Sequence, residues 1–326
     1  MSPPADWTAE RERSNLWALR LIRWIAMTAG RSATRWLLHP IALYFVLANG
    51  KARRASRLYL GRALGRPAAW PDVYRHIHRF ASTILDRVYF LQGRHDAFEL
   101  THSGTQTVHA SLDRGEGVML AGAHLGSFEA LRAIGLGRGV RVAMLMYEDN
   151  AKLLNATLAA IAPRAELHTI ALGRPGAMLA LRRWLDEGGL AGLLADRTLP
   201  AAAAGRTDRS RTHVIGFLGH PARFSDGPFR LAALLRRKVV FMTGLYAGAN
   251  RYDLRFVELA DFGRGEAGVG ESAVGAEAEQ RVEDTLRRYV ALLESLCRES
   301  PYNWFNFYDF WAIPDHDDRH ASPPPR

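Results

Sequence analysis

His124 and Glu129 stand close together in the chain, separated by Leu125-Gly126-Ser127-Phe128, and they are the two group types that general-base chemistry needs. Imidazole takes up a proton near neutral pH, and a carboxylate beside it fixes the tautomer and stabilises the imidazolium as it forms. Positions five apart on one regular helix point about 140° apart, so the pair converges only if His124 lies outside the helix that carries Glu129. Gly126 permits the necessary bend, and Ser127 is placed as an N-cap. Two other readings stay open: a satisfied structural histidine, and Ser127, three residues after His124, as a nucleophile.

The elements around the pair are those that expose a histidine. A short apolar run bounded by glycines, Gly117-Val118-Met119-Leu120-Ala121-Gly122, reads as a buried strand, and Ala130-Leu131-Arg132-Ala133-Ile134 continues as a helix. His124 then sits at the C-terminal end of a strand, where open α/β sheets place their sites. Downstream, strand-like runs at 140–146, 167–172 and 190–194 alternate with helix-like runs at 152–161 and 176–187. The expected fold class is therefore α/β, with a single mostly parallel sheet flanked by helices.

Further candidates follow at the same edge. Asp196 and Arg197 end an apolar strand, Asp196 supporting the site and Arg197 meeting an anionic substrate group, or the two forming a capping ion pair. Residues 214–219 read as a strand and Gly219-His220-Pro221-Ala222-Arg223-Phe224 as a turn, before a helix opened by Gly227-Pro228. The N-terminus of that helix, with Arg223, favours an anion. Arg206, Arg209 and Arg211 mark either a phosphate-binding or a solvated loop. Cys297, the one cysteine, reads as structural; it forbids an intrachain disulfide, and no metal site is expected.

His124-Leu125-Gly126-Ser127-Phe128-Glu129 resembles the His-x-x-x-x-Asp/Glu block of the lysophospholipid acyltransferase superfamily, in the glutamate form of bacterial lipid A biosynthesis (lauroyl/myristoyl) acyltransferases. Ala195-Asp196-Arg197, Phe217-Leu218-Gly219-His220-Pro221-Ala222 and the aromatic run 302–311 follow in that family's order, and the resemblance covers most of the chain after about residue 100. It implies acyl transfer from a thioester donor, acyl carrier protein or acyl-CoA, to a lipid or glycolipid acceptor without a cofactor. His124 and Glu129 would be catalytic, with Ser127, Asp196, Arg197, Gly219, Pro221 and Arg223 near substrate. Where these relatives usually carry an arginine, this chain has Met146-Tyr147-Glu148-Asp149-Asn150, which widens the choice of acceptor beyond lipid A.

The net charge of +10 at pH 7 draws the chain towards polyanions such as anionic lipid, nucleic acid or an acidic carrier protein. Between Arg11 and Arg62 lie eleven Lys/Arg and one carboxylate, Glu12, in strongly apolar sequence. Arg13, Arg20, Arg23 and Arg31 form one helical stripe bordered by Trp17 and Trp24, the pattern of an interfacial helix. The run 36–50 lacks charge but is shorter than the roughly 20 residues that span a bilayer. The two segments are expected to make an in-plane or re-entrant hairpin, or else ordinary core helices. The division is thus an N-terminal membrane-associated helical segment (1–55), a catalytic domain (56–314) and a flexible tail (315–326), at the cytoplasmic face of a bacterial inner membrane, either peripheral or monotopic or with a single span. No nucleic-acid module is visible, so nucleic acid is not an expected partner. A non-catalytic basic binding protein and a lipid hydrolase are the rival classes.

Overall fold

A computed structural model describes residues 7–131, 139–147, 168–174, 176–198, 211–263 and 271–312. Its seven-stranded sheet has the order β1-β9-β8-β2-β5-β3-β4. These strands are β1 (Glu99–Ser103), β2 (Val118–Gly122), β3 (Val142–Tyr147), β4 (His168–Leu172), β5 (Leu190–Leu194), β8 (Lys238–Gly248) and β9 (Arg251–Asp261). Every neighbouring pair is parallel except the β8–β9 hairpin. The expected mixed α/β architecture with helices on both faces is what the chain adopts.

Strand β2 lies at the centre with all its residues buried. Its side chains alternate as a pleated strand requires. Met119 and Ala121 join Leu286, Tyr289 and Leu293 of helix α7 (Glu271–Glu299), whereas Val118 and Leu120 join Leu85 and Tyr89 of α3 (Trp70–Leu91) and Val108 of α4 (Thr105–Leu112). Helices α5 (Ala177–Asp186) and α6 (Gly227–Leu234) complete the layers; Leu181 and Leu185 of α5 and Phe229 of α6 are fully buried.

The N-terminal segment is helical over α1 (Trp7–Ala48), as two helices that meet at Gly30. It is kinked at Gly30, whose φ of 78° lies in the left-handed region that glycine tolerates. Helix α2 (Gly50–Leu64) follows with Asn49 as its N-cap, so the boundary placed at 55/56 falls inside a helix. Ala26, Leu38, Ala42 and Val46 of α1 are buried, but Trp24, Trp36, Leu43, Tyr44 and Leu47 are exposed. Arg31 departs from the outward stripe and turns inward to Asp86 of α3, with two bonds of 2.8 and 2.9 Å. Burial pushes the Asp86 carboxyl above its ordinary value despite the arginine beside it. Among the described residues no helix is long and apolar enough to cross a membrane.

Strands β6 (Thr212–Phe217) and β7 (His220–Ser225) form a separate antiparallel hairpin. The turn is only Leu218-Gly219, both at positive φ, so the residues expected to form a longer turn are a strand. The run 152–161, Glu148 to Asn150, Arg206, Arg209 and the tail 315–326 lie outside the described residues, as do the side chains of Arg13, Trp17, Arg20 and Arg23.

Candidate active site

After β2 the chain leaves the sheet at Ala123, runs through His124 to Ser127, and enters a helix at Phe128. Backbone contacts hold this passage from both sides. The Gly126 N–H donates to the Asn303 carbonyl at 2.9 Å, the Ser127 N–H to Gly244 O at 2.8 Å, and the Phe305 N–H to His124 O at 2.7 Å. Thr243 Oγ1 donates to the Leu125 carbonyl at 2.8 Å. A Cβ on Gly126 would stand 2.1 Å from Gly244 O, so only glycine fits. Ser127 is the N-cap: its hydroxyl accepts the Ala130 N–H and donates to Glu129 Oε2, each at 3.3 Å. Buried and engaged in this way, it does not present itself as a nucleophile.

The carboxylate that meets the histidine is Asp196. Its Oδ1 lies 2.8 Å from His124 Nδ1, and its Oδ2 accepts the His124 backbone N–H at 3.1 Å. Parallel pairing explains the meeting. Gly122 of β2 is in register with Leu194 of β5, and each strand runs two residues further to the dyad member. Because a carboxylate accepts, Nδ1 carries the proton and the lone pair sits on Nε2. The His124 side chain keeps 27% of its surface open, whereas Asp196 has none.

Glu129, expected to orient His124, has another partner. Its Oε1 lies 2.6 Å from Arg87 Nε of α3, and no bond joins it to His124. The reason is the N-cap: once the helix starts at Phe128, Glu129 in the first turn faces the neighbouring helix.

Asp196 is stabilised by a segment whose aromatic content stood out but whose polar atoms did not. Trp304 Nε1 and Asn306 Nδ2 each donate to Oδ2 at 3.0 Å. Burial raises the Asp196 pKa, but the neighbouring imidazole, the hydrogen bonds from the His124 ring and backbone, and Arg197 outweigh this and leave it lowered overall. Asn306 also accepts from Arg197 Nε at 2.8 Å, and the Arg197 guanidinium lies over the Tyr308 ring, 5.3 Å from its centroid. Trp304 is fixed from behind by buried His76, whose Nε2 meets the Trp304 carbonyl at 2.8 Å and whose Nδ1 meets Ser56 Oγ at 2.8 Å.

Gly219, Pro221 and Arg223 belong to the β6–β7 hairpin, and none of them contacts the dyad. Phe217, beside the hairpin's turn, does approach it indirectly, with its ring 5.3 Å from that of Trp304. The turn is tied to α7 by the Leu218 N–H, which donates to Glu294 Oε2 at 2.9 Å. Arg223 therefore lies in a strand rather than beside the start of α6. Cys297 is buried in α7, and burial raises its thiol pKa well above the ordinary range. Among the described residues no three His, Cys, Asp or Glu side chains are grouped to share a metal ion.

No family model matches the chain, and no curated protein does. Among solved structures it is similar to the 1-acyl-sn-glycerophosphate acyltransferase PlsC from Thermotoga maritima. The TM-score is 0.34 at 13% identity, over 81% of this chain and 98% of that one. That likeness is too distant to bear on chemistry, which the side chains must carry by themselves.

Proposed function

We propose that the protein transfers a fatty acyl chain from a thioester donor, acyl carrier protein or acyl-CoA, to a hydroxyl or amine of a lipid or glycolipid acceptor. The observation that carries this reading is the His124–Asp196 pair: a buried carboxylate on Nδ1 and a partly open imidazole with Nε2 on its other edge. In the proposed step Nε2 takes the acceptor proton while the acceptor oxygen or nitrogen attacks the thioester carbonyl. The tetrahedral oxyanion collapses, the C–S bond breaks, and the thiolate leaves with the proton held by His124. Asp196 keeps the ring in one tautomer and balances the transient imidazolium. Neither an acyl-enzyme nor a cofactor is needed. Arg197, held by Asn306 and Tyr308, is the cation closest in sequence to the dyad and is assigned to an anionic group of donor or acceptor.

The exposed aromatic and aliphatic face of α1 supports attachment at a membrane surface, with the helix lying in the plane of the interface. We assign the protein to the cytoplasmic face of a bacterial inner membrane, where donor and acceptor meet.

The test is incubation of the purified protein with labelled acyl-acyl carrier protein or acyl-CoA and a bacterial lipid extract, read by mass spectrometry. A lipid heavier by one acyl chain, absent with His124→Ala, is the expected result. Free fatty acid alone would make the protein a hydrolase. Absence of either product with both donors would remove the enzymatic reading.

A further inference from the structure

Beyond the dyad, an open cavity of about 620 Å³ lies between α1, α3 and the turn joining β8 to β9. Its wall is unusually rich in hydrogen-bond donors. Arg31, Ser32, Arg35 and His39 reach it from successive turns of α1, and His78 reaches it from α3. His76 and His78 are two apart on α3 and so point to nearly opposite sides; the first backs the dyad and the second faces this cavity.

The charge here is not balanced. Arg31 is neutralised by buried Asp86, but Arg35 has no carboxylate within ion-pair distance among the described residues. It is held instead by neutral groups, the Ala249 carbonyl and the Tyr246 hydroxyl, the latter at 2.7 Å. The His39 and His78 rings stack with centroids 4.5 Å apart. Burial, with the adjacent His39, Arg35 and Arg79, pushes the His78 imidazole down to about 4, as expected in a positive field. His78 Nε2 is buried without a hydrogen-bond partner, an arrangement a protein interior rarely leaves unexplained.

We infer that this cavity binds a phosphate group through Arg31, Arg35 and the His39–His78 pair, at a site separate from the His124–Asp196 dyad. Arg31 spends Nε and Nη2 on Asp86 and keeps Nη1, and His39 spends Nδ1 on the Tyr74 hydroxyl at 2.6 Å and keeps its other ring nitrogen. With Arg35, His78 and the Ser32 hydroxyl, these groups suit the oxygens of a tetrahedral phosphate. The volume exceeds what free phosphate needs. Trp36, 77% exposed, lines the mouth, and the exposed Leu43 and Leu47 continue from it along α1. A phosphate carried on a glycerolipid head group suits that arrangement, with its acyl chains along the apolar face. The phosphate chemistry does not depend on acyl transfer; only the lipid source rests on the membrane reading.

The experiment measures binding of inorganic phosphate by calorimetry, and flotation with vesicles of phosphatidylcholine alone or mixed with phosphatidylglycerol. Wild type is compared with Arg35→Gln and with His78→Phe, which keeps the ring stack if loss of the Arg35 clamp unfolds the chain. A tenfold or greater loss of phosphate affinity, or loss of the preference for phosphatidylglycerol, supports the site when the melting temperature is unchanged. Phosphate binding by wild type without a lipid preference assigns the site to free phosphate. Absence of both in wild type, or both unchanged in folded variants, overturns it. Acyl transfer in detergent should be the same in all three proteins, so failure here is separable from failure of the enzymatic reading.

Discussion

Trp304 donates its indole N–H to Asp196 Oδ2 at 3.0 Å, the same oxygen that accepts the backbone N–H of His124. With Asn306 as a third donor, Oδ2 is saturated and Oδ1 is left for the imidazole. The carboxylate is thereby fixed before any substrate arrives. Preorganisation of this kind lets a buried charge be kept rather than neutralised by a proton.

His124→Ala removes the proposed base. Steady-state acyl transfer should fall by about 10² to 10⁴, the contribution of a positioned general base. Because the imidazole is partly open, circular dichroism should remain that of the wild type.

Asp196→Asn and Glu129→Gln separate two roles that proximity in sequence would merge. An asparagine at 196 turns an NH2 group towards a donor and loses the charge opposite the imidazolium. Turnover should fall at least tenfold with little change in KM. Glu129→Gln instead breaks the pair with Arg87, and its main effect should be on melting temperature. Equal losses of turnover in the two variants would return Glu129 to the chemistry.

His76 sets a pH limit on stability. Burial, the larger influence, pushes its pKa down to about 4 despite the Trp304 carbonyl that favours the charged form. The unfolded histidine titrates near 6.5, so the unfolded state binds the extra proton first. Stability is complete above about pH 6.5 and is lost as pH falls towards 4, by about 3 kcal/mol over the window. Denaturant titrations of His76→Gln should show a shallower slope than wild type, with the remainder contributed by His78, which burial lowers over the same range.

Gly126→Ala forces a Cβ against Gly244 O in a residue already at φ 76°. A loss of more than about 2 kcal/mol, seen as a lower urea midpoint or failure to fold, is expected from strain plus overlap. Gly139→Ala, with a similar φ but nothing within 4 Å of its Cβ position among the described residues, should cost less.

Leu43→Ser with Leu47→Ser tests the interfacial face of α1. Each side chain is worth about 1.5 to 3 kcal/mol when fully buried. Flotation with neutral vesicles should weaken by at least tenfold, while activity in detergent holds.

The strands were legible because a buried parallel sheet writes itself as short apolar runs; β5 occupies the very residues 190–194 read from the sequence. Of the β6–β7 hairpin the first strand was legible in the run 214–219, but the second was not, because Gly219 and Pro221 both signal a break. Leu218 takes the left-handed conformation at which sequence gives no hint, and Pro221 sits in a two-stranded ribbon that tolerates its missing N–H. His124 was visible as a candidate from its place after β2. Asp196 was visible too, from its place after β5, but its pairing with His124 was not, since Glu129 is near in sequence while Asp196 is separated by 72 positions and reaches the histidine only through strand pairing. Trp304 and Asn306 were hidden for a related reason: their stretch reads as an aromatic cluster, and nothing local marks the polar atoms as inward.

The in-step pairing of Gly122 with Leu194 acts as a ruler for the whole centre. Neighbouring positions on an extended chain project to opposite sides, so slippage of β5 by one place would bring Ala195 or Arg197 opposite His124 and turn the aspartate away. Length changes within β2 or β5, or in the two residues that carry each strand on to His124 or Asp196, would therefore part the pair. An engineer grafting new specificity onto this protein should add residues only outside those two frames.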